Sequence, residues 1–224
     1  KTKLFIFIEF SFFSFYKNFN QMKKLFTFLM LIILASCNTN PNQASTQQAQ
    51  GVATVDNIYN VETAQSQITW TGREVSTSYH YGTLDFVSGN FEISNGAIVN
   101  GEFIVDMTSI NNQDMEGDSK ARLEGHLKSD DFFSVESYPT ATISINSSEL
   151  ISDGKWNVLG DLAIKGFTHP VNFEMISSED GWSANLVFDR SKYDVRFRSG
   201  SFFENLGDKL IYDDIELSIN LTTL

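Results

Sequence analysis

The 224-residue sequence contains a single cysteine, Cys37, and has 16 Lys and Arg residues against 28 Asp and Glu residues. With one cysteine, no disulfide is available to staple the fold, which must therefore depend on its core. Five of the basic residues and one acidic residue precede Cys37, which leaves 11 basic and 27 acidic residues after it. So acidic a surface repels phosphate backbones and anionic lipid headgroups, and we expect no nucleic-acid partner.

The sequence also lacks the common catalytic and metal-binding motifs. It has no Gly-x-Ser-x-Gly elbow and no phosphate-binding glycine loop. The histidines His80, His126 and His169 are far apart and in no metal-binding spacing. Residues 112–117 match the first half of an EF-hand loop, but its closing position is Leu123 instead of Glu. We therefore predict no catalytic residue, no metal and no cofactor, and we expect that the protein is not an enzyme.

The apolar run that begins at Leu25 is too short to span a bilayer, which needs about 20 apolar residues. Residues 22–37 read MKKLFTFLMLIILASC, with two lysines, an apolar stretch and small residues before Cys37. This order is typical of a secretory signal, and its last four residues resemble the lipobox of bacterial lipoproteins. The resemblance implies that Cys37 carries the lipid anchor of an exported protein. Because Asn38 replaces the Asp that retains enterobacterial lipoproteins, we expect an outer-membrane protein facing the periplasm.

Three further segments follow from composition. Residues 1–21 are rich in Phe and precede Met22, and we interpret them as a non-native segment upstream of the true start. Residues 38–56 are polar and cannot bury enough surface to offset chain entropy, which indicates a flexible tether. Residues 57–224 have the size of one domain with a full core.

Strict alternation of apolar and polar residues dominates the domain and predicts β-strands with one buried face. The clearest runs begin at Ile68, Phe103, Ala141, Trp156, Val171, Trp182 and Ile215. Asn95-Gly96, Asp153-Gly154 and Asp180-Gly181 separate neighbouring runs and favour antiparallel hairpins. Residues 118–129 instead place Ala121, Leu123 and Leu127 at helical spacing, which indicates one short amphipathic helix. We predict an all-β antiparallel meander of about eight strands that closes into a barrel.

Three long motifs resemble the signature of the YceI-like family. They are LEGHLKSDDFF at 123–133 followed by YPTAT at 138–142, GDLAIKGFTHPV at 160–171, and DRSKYDV at 189–195 followed by GSFF at 200–203. The resemblance runs from Tyr59 to the C-terminus. It implies a lipocalin-like barrel that holds a polyisoprenoid or an isoprenoid quinone in an apolar lumen, as a carrier or reservoir.

Inward-facing candidates for the lumen are large apolar residues of the domain. They are Trp70, Phe86, Phe103, Val105, Ile143, Trp156, Leu162, Phe173 and Phe188. Alternation determines which face is buried but not whether the interior is empty, so a packed core in a stress or interaction protein remains an alternative. For an anionic headgroup at the rim, Arg190, Arg196 and Arg198 are the candidate donors. The sequence leaves homodimerisation open.

Overall fold

The computed structural model describes residues 56–224, and nine β-strands account for most of them. The strands are β1 (Asn57–Asn60), β2 (Gln67–Glu74), β3 (Tyr79–Ser94), β4 (Ala97–Asn112), β5 (Thr140–Ser152), β6 (Lys155–Ile164), β7 (Phe167–Ser178), β8 (Gly181–Asp189) and β9 (Ile211–Leu221). The predicted signal, the lipidation site Cys37 and most of the predicted tether lie outside the described residues.

The strands from β2 to β9 form a closed antiparallel barrel of eight strands. Each strand pairs with the next along the chain, and β9 returns to pair with β2, where Trp70 lies opposite Leu217. The short strand β1 pairs with the far half of β3, where Tyr59 lies opposite Phe91. The predicted all-β meander and its closure are therefore confirmed, with β7 and β8 pairing only through residues 174–178 and 181–185.

The predicted turns lie where hairpins need them. Asn95 and Gly96 join β3 to β4 and both have positive φ, 51° and 76°. A two-residue turn of this kind matches the right-handed twist of the strands that it connects. Gly154 and Gly181, at the other two predicted turns, have φ of 70° and 128°. These hairpins determine the register of neighbouring strands.

One α-helix, α1 (Gly117–Lys128), lies between β4 and β5. It begins and ends one residue before the predicted helix, residues 118–129. Leu123 and Leu127 line the interior cavity, so the helix covers one end of the barrel. Ala121, which the helical spacing assigned to the apolar face, is exposed. The helix therefore contacts the barrel through a narrow stripe.

Aromatic side chains close the opposite end of the barrel. Phe91 stacks on Tyr59 with ring centroids 4.9 Å apart. It also makes an edge-to-face contact with Trp182, with ring centroids 4.7 Å apart. Trp156 lies 5.4 Å from Trp182, and its Nε1–H donates a 2.8 Å hydrogen bond to Gly96 O. This aromatic cluster, formed by Tyr59, Phe91, Trp156 and Trp182, joins strands from both sides of the barrel.

Residues 56–224 contain neither a membrane-spanning helix nor a cluster of metal-binding side chains. In this part of the chain, no helix has both the length and the apolar character to cross a membrane. Nor do three or more His, Cys, Asp or Glu side chains in the same range cluster in a way that suits a metal ion.

Candidate functional site

The interior of the barrel contains two adjoining apolar compartments. The larger one has a volume of about 150 Å³ and extends from mid-barrel to helix α1. The smaller one has a volume of about 80 Å³ and lies toward the aromatic cluster. Five side chains line both compartments: Ile68, Val105, Ala141, Leu162 and Leu217. The compartments therefore adjoin one another inside the barrel, and together they are called the bore below.

Eight of the nine predicted lumen residues line this bore. Trp70 and Phe188 line the larger compartment, and Val105 and Leu162 line both. The smaller compartment is lined by Phe86, Phe103, Ile143 and Phe173. Their contact with a lipid stays a prediction.

Trp156 lies elsewhere, in the aromatic cluster, and lines neither compartment. Alternation correctly predicted that it is buried, but it did not predict which level of the barrel it occupies.

Several lining residues were not singled out from the sequence. Leu84, Met107, Ile110, Phe132 and Ile211 all line the larger compartment. Leu84 and Ile110 belong to stretches of β3 and β4 near bulges, where the alternation is broken. Phe132 follows the helix and belongs to no strand, so the alternation of apolar and polar residues does not indicate that it lines the cavity.

Polar side chains enter the lining of the larger compartment near the β2–β3 hairpin. Arg73 makes an ion pair with Glu216, with a distance of 2.9 Å between Nε and Oε1. Glu74 accepts a 3.2 Å hydrogen bond from Ser76 Oγ. The polar groups of Arg73 and Glu74 are thus engaged by other protein groups, and most of the other residues that line the compartment are apolar.

His80 is a third polar group at this level, and it lies 2.8 Å from a carboxylate oxygen of Asp114. Desolvation acts to raise the pKa of Asp114, but hydrogen bonds with His80, the Tyr81 N–H and Asn112 outweigh it and hold that pKa below its ordinary value. The pair connects β3 to the segment that leads into α1. His80 is thus engaged by a protein group at the edge of the larger compartment.

Arg190 lies in the cavity wall and not at an exposed rim, which corrects the predicted position. Its side chain is fully buried, and its nitrogens donate to the carbonyls of Tyr212, Val195 and Ile211 at 3.1–3.2 Å. Desolvation lowers the pKa of Arg190, while the nearby carboxylate of Asp213 opposes that shift. The sequence showed the charge of Arg190 but not the backbone carbonyls that surround it.

Arg196 and Arg198 lie instead in a surface groove of about 470 Å³, together with Lys165. Arg196 pairs with Asp194 and covers the Phe202 ring at 5.0 Å. Three carboxylates also line the groove, those of Asp130, Asp131 and Asp194. The groove therefore carries balanced charge, and the predicted headgroup role of these two arginines remains untested by the geometry.

Comparison with known proteins agrees with this architecture. Residues 59–223 match the YceI-like domain family. A UPF0312 protein of Photorhabdus laumondii is 29% identical over 148 residues, which are 63% of this chain and 73% of that protein. Protein YceI of Escherichia coli O157:H7 is 25% identical over 147 residues, with the same coverage of 63% and 73%.

Among solved structures, the barrel resembles BcnA of Burkholderia cenocepacia with a TM-score of 0.57 at 17% identity. The superposition covers 72% of this chain and 98% of BcnA. At that identity the likeness concerns the fold alone.

Proposed function

The chain belongs to the YceI-like family, and on that premise we propose that it is a binding protein that holds an isoprenoid lipid in the bore of its barrel. The ligand is a polyisoprenoid or an isoprenoid quinone, as the sequence motifs imply. The observation that carries the proposal is the pair of adjoining apolar compartments inside the barrel, which share five lining residues.

The chemistry of the bore suits a prenyl chain. Such a chain presents only methyl-bearing surface, so its holder needs dry walls and little polar chemistry. Transfer of that surface from water stabilises the complex by about 25 cal/mol per Å². Phe86, Phe103 and Phe173 line the smaller compartment and provide the flat apolar surfaces against which a slender chain packs.

We propose a carrier or reservoir in preference to an enzyme. The polar side chains Arg73, Glu74 and His80 lie together at one level of the larger compartment, and each is engaged by another protein group. A general acid or base must instead reach its substrate within hydrogen-bonding distance. The bore therefore favours binding over catalysis.

The cellular setting is part of the same proposal. We place the protein in the outer membrane facing the periplasm, attached through acyl chains on Cys37. The excess of acidic over basic residues supports an anchor of this type, because electrostatic docking on anionic lipids requires a basic surface. Replacement Cys37→Ser tests the anchor. We expect the wild-type protein in the outer-membrane fraction and the variant in the soluble fraction. Recovery of the wild-type protein in the inner-membrane fraction would contradict the outer-membrane location.

Mass spectrometry of organic extracts tests the ligand directly. The full chain is purified from a bacterial envelope, and we expect an extractable isoprenoid in near-stoichiometric amount. Extracts without any apolar molecule would contradict the proposal.

A pair of variants controls for lipid that adheres to the outer surface. Ala141 lines both compartments, so Ala141→Phe places a ring at their junction and should abolish the bound isoprenoid. Val187 is 56% exposed on β8, so Val187→Phe adds the same ring outside the barrel and should leave the ligand in place. Equal ligand content in the two variants would show that the lipid is not in the bore.

A further inference from the structure

The larger compartment contains one polar group that has no partner. The indole Nε1 of Trp70 is buried and no acceptor lies within hydrogen-bonding distance among residues 56–224. The residue itself is 9% exposed, and it lines the compartment from β2. Buried N–H groups in folded proteins are almost always hydrogen-bonded, so an unpaired one requires an explanation.

The other polar side chains that line the larger compartment all have partners within the protein. Arg73, Glu74 and His80 are each paired with a neighbouring side chain. Arg190 donates to three backbone carbonyls. Among the described residues that line this compartment, Trp70 is thus the one whose polar group has no partner. A ligand in the compartment could supply the acceptor.

A second tryptophan provides the contrast. Trp156 belongs to the aromatic cluster, lines neither compartment, and donates its indole N–H to Gly96 O at 2.8 Å. The fold therefore supplies an acceptor to the indole of Trp156. It supplies none to the indole that lines the bore.

We propose that the Trp70 indole N–H recognises an oxygen atom on the ligand, so that the barrel selects oxygen-bearing isoprenoids over isoprenoid hydrocarbons. The inference rests on the proposed function and narrows it. A quinone carbonyl and a prenol hydroxyl are both acceptors that satisfy this donor. An isoprenoid hydrocarbon leaves the N–H unpaired and loses the corresponding binding energy.

The position of Trp70 also orients the ligand. Trp70 lines the larger compartment and not the smaller one. The smaller compartment is walled by apolar residues and Thr142. The oxygen-bearing end therefore lies beside Trp70, and the hydrocarbon tail extends toward the aromatic cluster.

Nuclear magnetic resonance of the indole groups tests the contact. The full chain, ¹⁵N-labelled at tryptophan, is titrated separately with ubiquinone-2, geranylgeraniol and squalene. We expect a downfield shift of the Trp70 indole proton with an oxygen-bearing ligand and none with squalene. A shift with ubiquinone-2 alone assigns the carbonyl, and a shift with geranylgeraniol alone assigns the hydroxyl. Binding of all three ligands with no downfield shift would overturn the inference.

Affinity measurements on Trp70→Phe provide a second test. The substitution keeps an aromatic ring but removes the donor, and we expect about tenfold weaker binding of the oxygen-bearing ligand, the equivalent of one ordinary hydrogen bond. Squalene affinity should change less than twofold. Trp156→Phe, the matched control, should leave the ratio of the two affinities unchanged.

The outcomes separate the two proposals. If wild type binds none of the three probes, the proposed function fails and the inference fails with it. If wild type binds them and Trp70→Phe weakens all of them equally, the inference alone fails, because the tryptophan then contributes only shape.

Discussion

The buried guanidinium of Arg190 lies 3.2 Å from the Oδ1 atom of Asp213, with the distance measured from Nη2. The guanidinium also donates hydrogen bonds to the backbone carbonyls of Val195, Ile211 and Tyr212. One side chain thus connects the turn after β8 to the start of β9, across the wall of the bore. The same strand carries Asp213, whose Oδ2 accepts from two serine hydroxyls.

Arg190→Lys should lower the free energy of unfolding by about 3–5 kcal/mol, the usual effect of breaking a buried charge network. A lysine has a single ammonium group and cannot reach three carbonyls in the planar geometry of a guanidinium. Urea denaturation measures the change. Arg196→Lys is the control, because Arg196 is exposed, and it should change stability by less than about 0.5 kcal/mol. Equal losses of unfolding free energy in the two variants would show that the buried hydrogen bonds of Arg190 do not stabilise the fold.

Asp114 should make stability depend on pH in the acid range. Its folded pKa lies below the ordinary value of 3.8, so its contribution is present above that value and is lost as pH falls through the depressed folded pKa. We expect Asp114→Asn to reduce stability near neutral pH and to differ less from wild type as the solution is acidified below pH 3.8. Unfolding free energies measured across this range test the prediction. A difference that grows on acidification would contradict it.

Tyr193 should act in the alkaline range. Desolvation, with a smaller effect from Asp189, raises its pKa to about 12. Because the folded state holds the phenolic proton more tightly than the unfolded chain, stability is full below pH 10 and falls as pH rises toward 12. Tyr193→Phe should flatten this part of the stability curve. Ultraviolet absorbance of tyrosinate, compared between wild type and the variant, assigns the late-titrating group. Titration of Tyr193 near pH 10 would contradict the prediction.

The sequence predicted most of the barrel because most strands keep a strict period of two. Strand β3 does not keep this period, because bulges interrupt its pairing with β4 between Thr83 and Asp85 and between Phe86 and Ser88. Buried positions shift there from even to odd numbers, from Leu84 and Phe86 to Phe91. A regular pattern therefore predicts a strand, whereas a bulged strand is recognised only once its partner is known.

The candidate site was harder to predict than the fold. Alternation placed Trp70 and Trp156 on inward faces alike, yet one lines the bore and the other belongs to the aromatic cluster. Their levels along the axis depend on strand register, which involves partners distant in sequence. Arg190 was assigned to the rim for its charge, because backbone carbonyls that compensate a buried arginine leave no trace in residue types. Empty volume is likewise a property of packing across the whole barrel.

Gly82 packs so closely against β4 and Trp70 that there is no room for a side chain. A Cβ there would lie 2.2 Å from Asn111 O and 2.7 Å from a ring carbon of Trp70. Gly82→Ala should therefore destabilise the barrel by about 1–3 kcal/mol, the typical cost of overpacking. It should also weaken isoprenoid binding, because the Trp70 ring, which lines the larger compartment, must shift to relieve the clash. Thermal denaturation and a ligand titration measure the two effects.

Gly125 provides the matched control on helix α1, where an added Cβ meets nothing within 4 Å. Gly125→Ala should raise stability by about 0.5–1 kcal/mol, because alanine is the better helix former. Ligand affinity should stay unchanged, since Gly125 is exposed and lines neither compartment. If Gly82→Ala were as well tolerated as Gly125→Ala, the close approach of β3, β4 and Trp70 would be wrong, and with it the described shape of the larger compartment.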